Sequence, residues 1–155
     1  MIDEIDNTIL TILQREGRLS NADLARRIGL SPPATHTRLH RLEDIGLIAS
    51  YAALLDREKA GFDMLVFIHL SLQRHQPDVV ESVHAAIRRM PEVLECHHVT
   101  GDYDLLLKVV IRNRKDLERF VVERLTAVPG LARIQTSLVL TEVKSTTALP
   151  LQPQD

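Results

Sequence analysis

Residues 20–43, SNADLARRIGLSPPATHTRLHRLE, decide how the first part of this chain folds. They read as two short amphipathic helices joined by a Gly29-Leu30-Ser31 turn, the layout of a helix-turn-helix. Ser20 can cap the first helix, with Asp23 three residues on in a capping-box-like position. Leu24, Ala25 and Ile28 share one face, and Gly29 can take the left-handed conformation that ends a helix. Ser31 is a second N-cap, and Pro32 follows at the first helical position, where a missing N–H costs nothing. In the second helix Thr35, Leu39 and Leu42 recur at helical spacing and pack inward. Pro33, Thr37, His40 and Arg41 then point away, with His36 and Arg38 on the flanks. A major-groove reader requires such a short, polar, basic face. Ser31, Pro33, His36, Thr37, Arg38, His40 and Arg41 are therefore the candidate contacts to double-stranded DNA.

Charge distribution supports this reading. From Leu24 to Leu42 there are four arginines (Arg26, Arg27, Arg38, Arg41), two histidines and no acid. The whole chain of 155 residues has 19 Lys and Arg against 21 Asp and Glu, a formal net charge of −2. Local positive charge on an acidic protein points to a defined phosphate-contacting patch rather than to general stickiness. Upstream, Ile2, Ile5, Ile9, Ile12 and Leu13 form a helical stripe ending near Gly17, a helix that supports the other two from behind. Gly46 closes the reading helix, so residues 1–46 are the DNA-binding domain. Leu47 to Leu55 (LIASYAALL) is rich in β-formers and reads as a strand leaving a winged-helix-like domain. Asp56 to Asp63 is a polar connector, making 47–63 strand plus linker.

Residues 64–147 repeat a strand-helix-strand pattern twice. Met64–Leu72 alternates, with Met64, Val66, Ile68, Leu70 and Leu72 on one face. Pro77 opens a helix with the stripe Val79, Val80, Val83, Ile87 and Met90, and Pro91 stops it. Val93–Thr100 and Tyr103–Ile111 are strands around a Gly101-Asp102 turn. Leu117, Phe120, Val121, Leu125 and Val128 mark a second helix, halted by Pro129-Gly130, and Leu131–Val143 is the last strand. The βαββαβ order gives a four-stranded antiparallel sheet with both helices on one face, the ferredoxin-like arrangement. The fold class is α+β.

Helices on one side leave the other sheet face uncovered. Leu65, Phe67, Leu106 and Val110 fall there and predict a contiguous apolar patch, which a second copy would cover. A homodimer also suits DNA reading, since two recognition helices about 34 Å apart enter successive major grooves. The single cysteine, Cys96, excludes an intrachain disulfide framework and fits a reducing compartment. No signal segment or membrane-length apolar run is legible, so a cytoplasmic protein with no membrane partner is expected. Residues 148–155 read as a tail, disordered at its end.

The opening DEIDNTILTILQREGRLS, the reader helix, LEDIGLIASYAALLD, PEVLECHHVTGDYDLLLKV and VPGLARIQTSLVLTEVK together resemble the Lrp/AsnC (feast/famine) family of transcription regulators over nearly the whole chain. The resemblance implies a ligand-responsive ferredoxin-like domain, dimers assembling into octamers, and amino acids or related metabolites as effectors. In one departure, Thr37-Arg38 stands where members often carry two consecutive arginines, which implies a different operator.

The Gly-Asp-Tyr-Asp motif at 101–104 reads locally as a hairpin turn, which needs no ligand. Carried over from the family, it borders the effector site between dimers. Its backbone amides are then placed for an α-carboxylate, and Asp102 or Asp104 for an α-ammonium. The candidate effector residues are His98, Thr100, Gly101, Asp102, Tyr103, Asp104 and, on the last strand, Thr136. Cys96 and His98 share a strand face, with His69 or His84 as further contributors to a metal site, but two ligands do not close a tetrahedral site, and no metal or cofactor is expected. No catalytic triad, phosphate loop or dinucleotide fingerprint is present. The enzymatic alternative on this architecture is a sirohaem-decarboxylase-like protein, which would need a basic tetrapyrrole pocket. An RNA-binding ferredoxin-like module would need stacking aromatics, and aromatics are only 3% of the chain.

Overall fold

A computed structural model describes residues 2–151 and divides the chain into two compact units, Met1–Leu54 with Lys144–Asp155, and Leu55–Val143. In the first unit, α1 (Glu4–Leu13), α2 (Asn21–Ile28) and α3 (Pro32–Asp44) start at capped N-termini. Asp3 and Asp6 form a reciprocal capping box on α1, Ser20 accepts from the Asp23 N–H, and Ser31 accepts from the Ala34 N–H. Ile9, Leu24 and Leu42 are fully buried where the three helices meet, each contributing roughly 1.5–3 kcal/mol of hydrophobic stabilisation. Leu151 packs on this cluster, and Gln14 exchanges side-chain hydrogen bonds with the Leu149 backbone. Part of the expected tail is thus tied down. Its end, residues 152–155, lies outside the described residues.

The strand expected over Leu47–Leu55 does not form. This segment has no ladder partner, and Leu47, Tyr51, Leu54 and Leu55 are exposed. β-Forming composition alone cannot make a strand, because a strand exists only against a second one.

The second unit contains β1 (Met64–Leu72), α4 (Pro77–Arg88), β2 (Val93–His98), β3 (Leu105–Ile111), α5 (Arg114–Arg119) and β4 (Leu131–Leu138). The strand order β2-β3-β1-β4, antiparallel throughout, is the ferredoxin-like sheet. Alternation on β1 and β3 sends Val66, Ile68, Leu70, Leu105, Leu107 and Val109 to one face. There they meet Val83 and Ile87 of α4, together with Phe120 and Leu125. After α5 the chain continues as a π-helical turn, Phe120–Leu125, a widening that the apolar spacing did not signal.

Three expectations about the sheet need correction. β4 ends at Leu138 and not at Val143. β2 ends at His98 and β3 begins at Leu105, so Val99–Asp104 is a six-residue loop rather than a tight Gly101-Asp102 turn. The open face is also mixed rather than uniformly apolar. β1 and β3 contribute Leu65, Phe67, Leu106 and Val110 but also His69 and Lys108, and the register adds Glu95 and His97 from β2 and Gln135 and Ser137 from β4. Lys108 pairs with Glu95 at 3.1 Å. The apolar reading followed only the apolar positions of the two central strands, whereas His69 and Lys108 interrupt them and the edge strands add four polar side chains.

Candidate nucleic-acid interface and effector site

Thr35 and Leu42 anchor α3 in the first unit, and this sets which residues remain outside. Ser31, Pro33, His36, Thr37, His40 and Arg41 are exposed and Arg38 is half-buried. Thr37 Oγ1 donates to the Pro33 carbonyl at 3.0 Å, one turn back. The His36 and His40 rings meet edge to face with centroids 4.6 Å apart, and His40 Nδ1 lies 3.6 Å from Glu43. The seven sequence candidates therefore lie along one helix and its cap, and none is in the core.

The positive patch is less free than its sequence window implied. Each of its arginines meets an acid from outside the Leu24–Leu42 stretch or at its edge. Arg26 pairs with Asp23, and Arg27 makes a two-pronged contact with Glu16 at 2.6 and 2.8 Å. Arg38 Nη1 lies 2.6 Å from Asp3 Oδ2 and 2.9 Å from Asp6 Oδ1, while Arg41 Nη2 donates to Asp6 Oδ2. The Asp6 side chain is wholly buried, and two guanidiniums plus the Asp3 backbone N–H satisfy it. The Asp6 N–H and the Arg38 guanidinium together hold the Asp3 carboxyl below its ordinary range. Arg38 and Arg41 thus stand at the rim of the reader face, bound to α1. Asp3, Ala34, Thr37, Arg38 and Arg41 line an open cleft of about 480 Å³ there.

In the second unit the β2–β3 loop is latched to β1 through Asp104. Its backbone N–H donates to the Leu70 carbonyl at 2.9 Å, its Oδ2 accepts from the Leu72 N–H at 2.7 Å, and its Oδ1 lies 2.7 Å from His75 Nε2. The Leu72 N–H, and after it His75, hold this carboxyl below the ordinary carboxylate range. Asp104 is therefore already occupied, and Asp102 is the exposed acid of the motif, beside exposed Thr100 and Gly101. Tyr103 lies over the open sheet face. Its hydroxyl donates to Gln135 Oε1, its ring centroid is 5.1 Å from that of His69, and the Arg133 guanidinium sits 5.1 Å from its centroid.

His98 and Thr136 are not brought to Tyr103. His98 pairs in register with Leu105 and Thr136 with Ile68, both core-facing, so the two belong to the helix side of the sheet. His98 there lines a cleft of about 420 Å³ with His84, Arg88 and Cys96. His69, Arg133 and Gln135 were not among the effector candidates, because only the strand register carries them to the loop, and His75 reaches it from the segment after β1. Among the described residues, no three His, Cys, Asp or Glu side chains group as a metal site.

A helix-turn-helix with a basic-rimmed reader, followed in one chain by a ferredoxin-like domain, defines the class of two-domain DNA-binding regulators. Residues 2–49 match the winged helix-turn-helix DNA-binding family, and residues 65–149 match the Lrp/AsnC ligand binding domain. The leucine-responsive regulatory protein of Salmonella typhimurium is 39% identical over 151 residues, 97% of this chain and 92% of its own; that of Escherichia coli K12 is 38% identical over the same share. A transcriptional regulator of Neisseria meningitidis, solved as its L-Met complex, superposes with a TM-score of 0.94 at 39% identity, covering 97% of each chain. An AsnC family regulator of Agrobacterium tumefaciens gives 0.91 at 30% identity, over 96% of this chain and 97% of that one. The chain belongs to the Lrp/AsnC family. It is a transcription regulator with a DNA-binding helix-turn-helix and a ligand-binding domain. No helix among the described residues is long and apolar enough to cross a membrane.

Proposed function

We propose that this regulator reads operator DNA through the exposed side of α3 and takes an amino acid or a close relative as its effector, without catalysing a reaction. The observation that carries the effector class is its likeness, over almost its full length, to the Neisseria regulator solved with L-Met. In this reading Pro33, His36, Thr37 and His40 address base edges, while Ser31, Arg38 and Arg41 address phosphates. The tip Thr100-Gly101-Asp102 offers backbone amides to the effector carboxylate and Asp102 to its ammonium. Asp104 holds that tip in place through Leu72 and His75. A homodimer, assembling further to an octamer in the cytoplasm, presents the readers in pairs. The effector acts by binding one assembly or DNA-bound state better than another.

The test is fluorescence anisotropy on a duplex from upstream of the protein's own gene, with and without each common amino acid. Saturable binding that one amino acid shifts is the expected result. Binding that no amino acid shifts overturns the effector class while leaving the DNA reader standing.

A further inference from the structure

The reader carries an acid at its rim, and Asp3, the N-cap of α1, and Asp6, in its first turn, hold its arginines in different ways. The Asp6 carboxylate is wholly buried and shared between Arg38 and Arg41. That of Asp3 is half exposed, lines the same cleft as Thr37, Arg38 and Arg41, and binds the same Nη1 of Arg38 as Asp6 does, 2.6 Å away. The Arg38 side chain keeps 29% of its surface in solvent. A carboxylate in that position resembles a DNA phosphate in charge and in hydrogen-bonding oxygens.

We propose that Asp3 is a built-in competitor for the DNA backbone, occupying Arg38 in the free protein until a phosphate displaces it, while Asp6 is the fixed anchor that positions Arg38 and Arg41. The inference rests on α3 being the DNA reader. Asp6 is not the competitor, because a wholly buried carboxylate that gave up its guanidiniums to a phosphate would be left as an uncompensated buried charge. Asp3 can, because losing it leaves Arg38 its second partner. The arrangement weakens DNA binding at every sequence alike, since phosphates carry no sequence information.

Asp3→Asn is the decisive variant. Asparagine caps α1 as well as aspartate does, so helix and fold persist while the negative charge facing Arg38 is removed. Affinity for a mixed-sequence duplex at low salt is expected to rise about threefold or more, on the scale of an exposed ion pair plus one relieved repulsion. The thermal midpoint is expected to hold or fall slightly, a change opposite in sign to the gain in binding. The gain must largely vanish when Asp3→Asn is made in an Arg38→Gln background, and must exceed that of Glu4→Gln, the neighbouring exposed acid. Unchanged or weaker DNA binding by a folded Asp3→Asn overturns the proposal, as does a gain that survives in Arg38→Gln or that Glu4→Gln matches. If Arg38→Gln alone binds as tightly as the unmodified chain, Arg38 is no DNA contact, and its phosphate role falls together with the competitor. If Arg38→Gln weakens binding but Asp3→Asn gives no gain, the competitor alone falls.

Discussion

Asp104 shows how one side chain in a recognisable motif takes on a structural duty. Its carboxylate satisfies the Leu72 N–H where β1 ends and meets His75 just beyond. Asp104→Ala leaves that donor without its partner, and urea denaturation is expected to register a loss of about 1–3 kcal/mol. Asp104→Asn, whose amide oxygen can still accept, should recover most of it. The pH dependence follows from the lowered carboxyl pKa, whose first cause is the Leu72 N–H. Folding favours the ionised form, so the stabilisation is in place above the unfolded value of about 3.9 and is lost as pH falls through the lower folded value. The thermal midpoint advantage of the unmodified chain over Asp104→Asn should therefore shrink below about pH 4. An advantage that grew on acidification would contradict the latch.

At the scale of elements, the caps and turns set where each helix begins and how close it comes to its neighbour. Ser20 accepts from the Asp23 N–H at 3.1 Å and donates to the Asp23 carboxylate at 2.6 Å, so it closes the first turn of α2 twice over. Ser20→Ala should cost about 1 kcal/mol in chemical denaturation, the usual worth of an N-cap. Gly130, ahead of β4, has φ +95°, and a Cβ there would lie 2.8 Å from Val79 Cγ1 on α4. Gly130→Ala meets both strained backbone and a packed helix. A loss of roughly 1–3 kcal/mol is expected, with the equilibrium m-value unchanged. If the variant is as stable as the parent, α4 yields at that contact.

For the molecule as a whole, exposed apolar side chains and a half-covered sheet bear on assembly. Phe67 and Leu106 are only partly buried on the open face, and Leu54, Leu55, Leu140 and Val143 are largely exposed. Apolar side chains left in water are stabilised by burial against a second copy. Sedimentation at micromolar concentration should find dimers or larger species. Leu106→Lys should weaken association at least tenfold if the open face is the contact, since it would bury an unpaired charge next to Lys108. A monomeric parent would remove this interface, and a Leu106→Lys chain that assembles normally would place it elsewhere.

The reader helices, the βαββαβ order and both helix stops were legible because capping, proline placement and apolar period are local signals, spanning a few residues each. Those signals also put Ser31, Pro33, His36, Thr37 and His40 outside the core. What they could not convey was pairing between distant segments. Leu47–Leu55 has strand composition but no partner, and the Gly101-Asp102 pair opened into a longer loop because Asp104 is drawn to β1. An arginine-rich, acid-free stretch turned out to be ringed by Asp3, Asp6 and Glu16, which folding brings in from the cap and first turn of α1 and from the turn after it, while Asp23 pairs locally within α2. Sequence by itself determined the helices, the four strands of the sheet, their order and the family, since these follow from residue types at short spacing. Tertiary structure decided which charges are free and which residues flank the loop, because electrostatic and hydrogen-bond partners are chosen by distance in space.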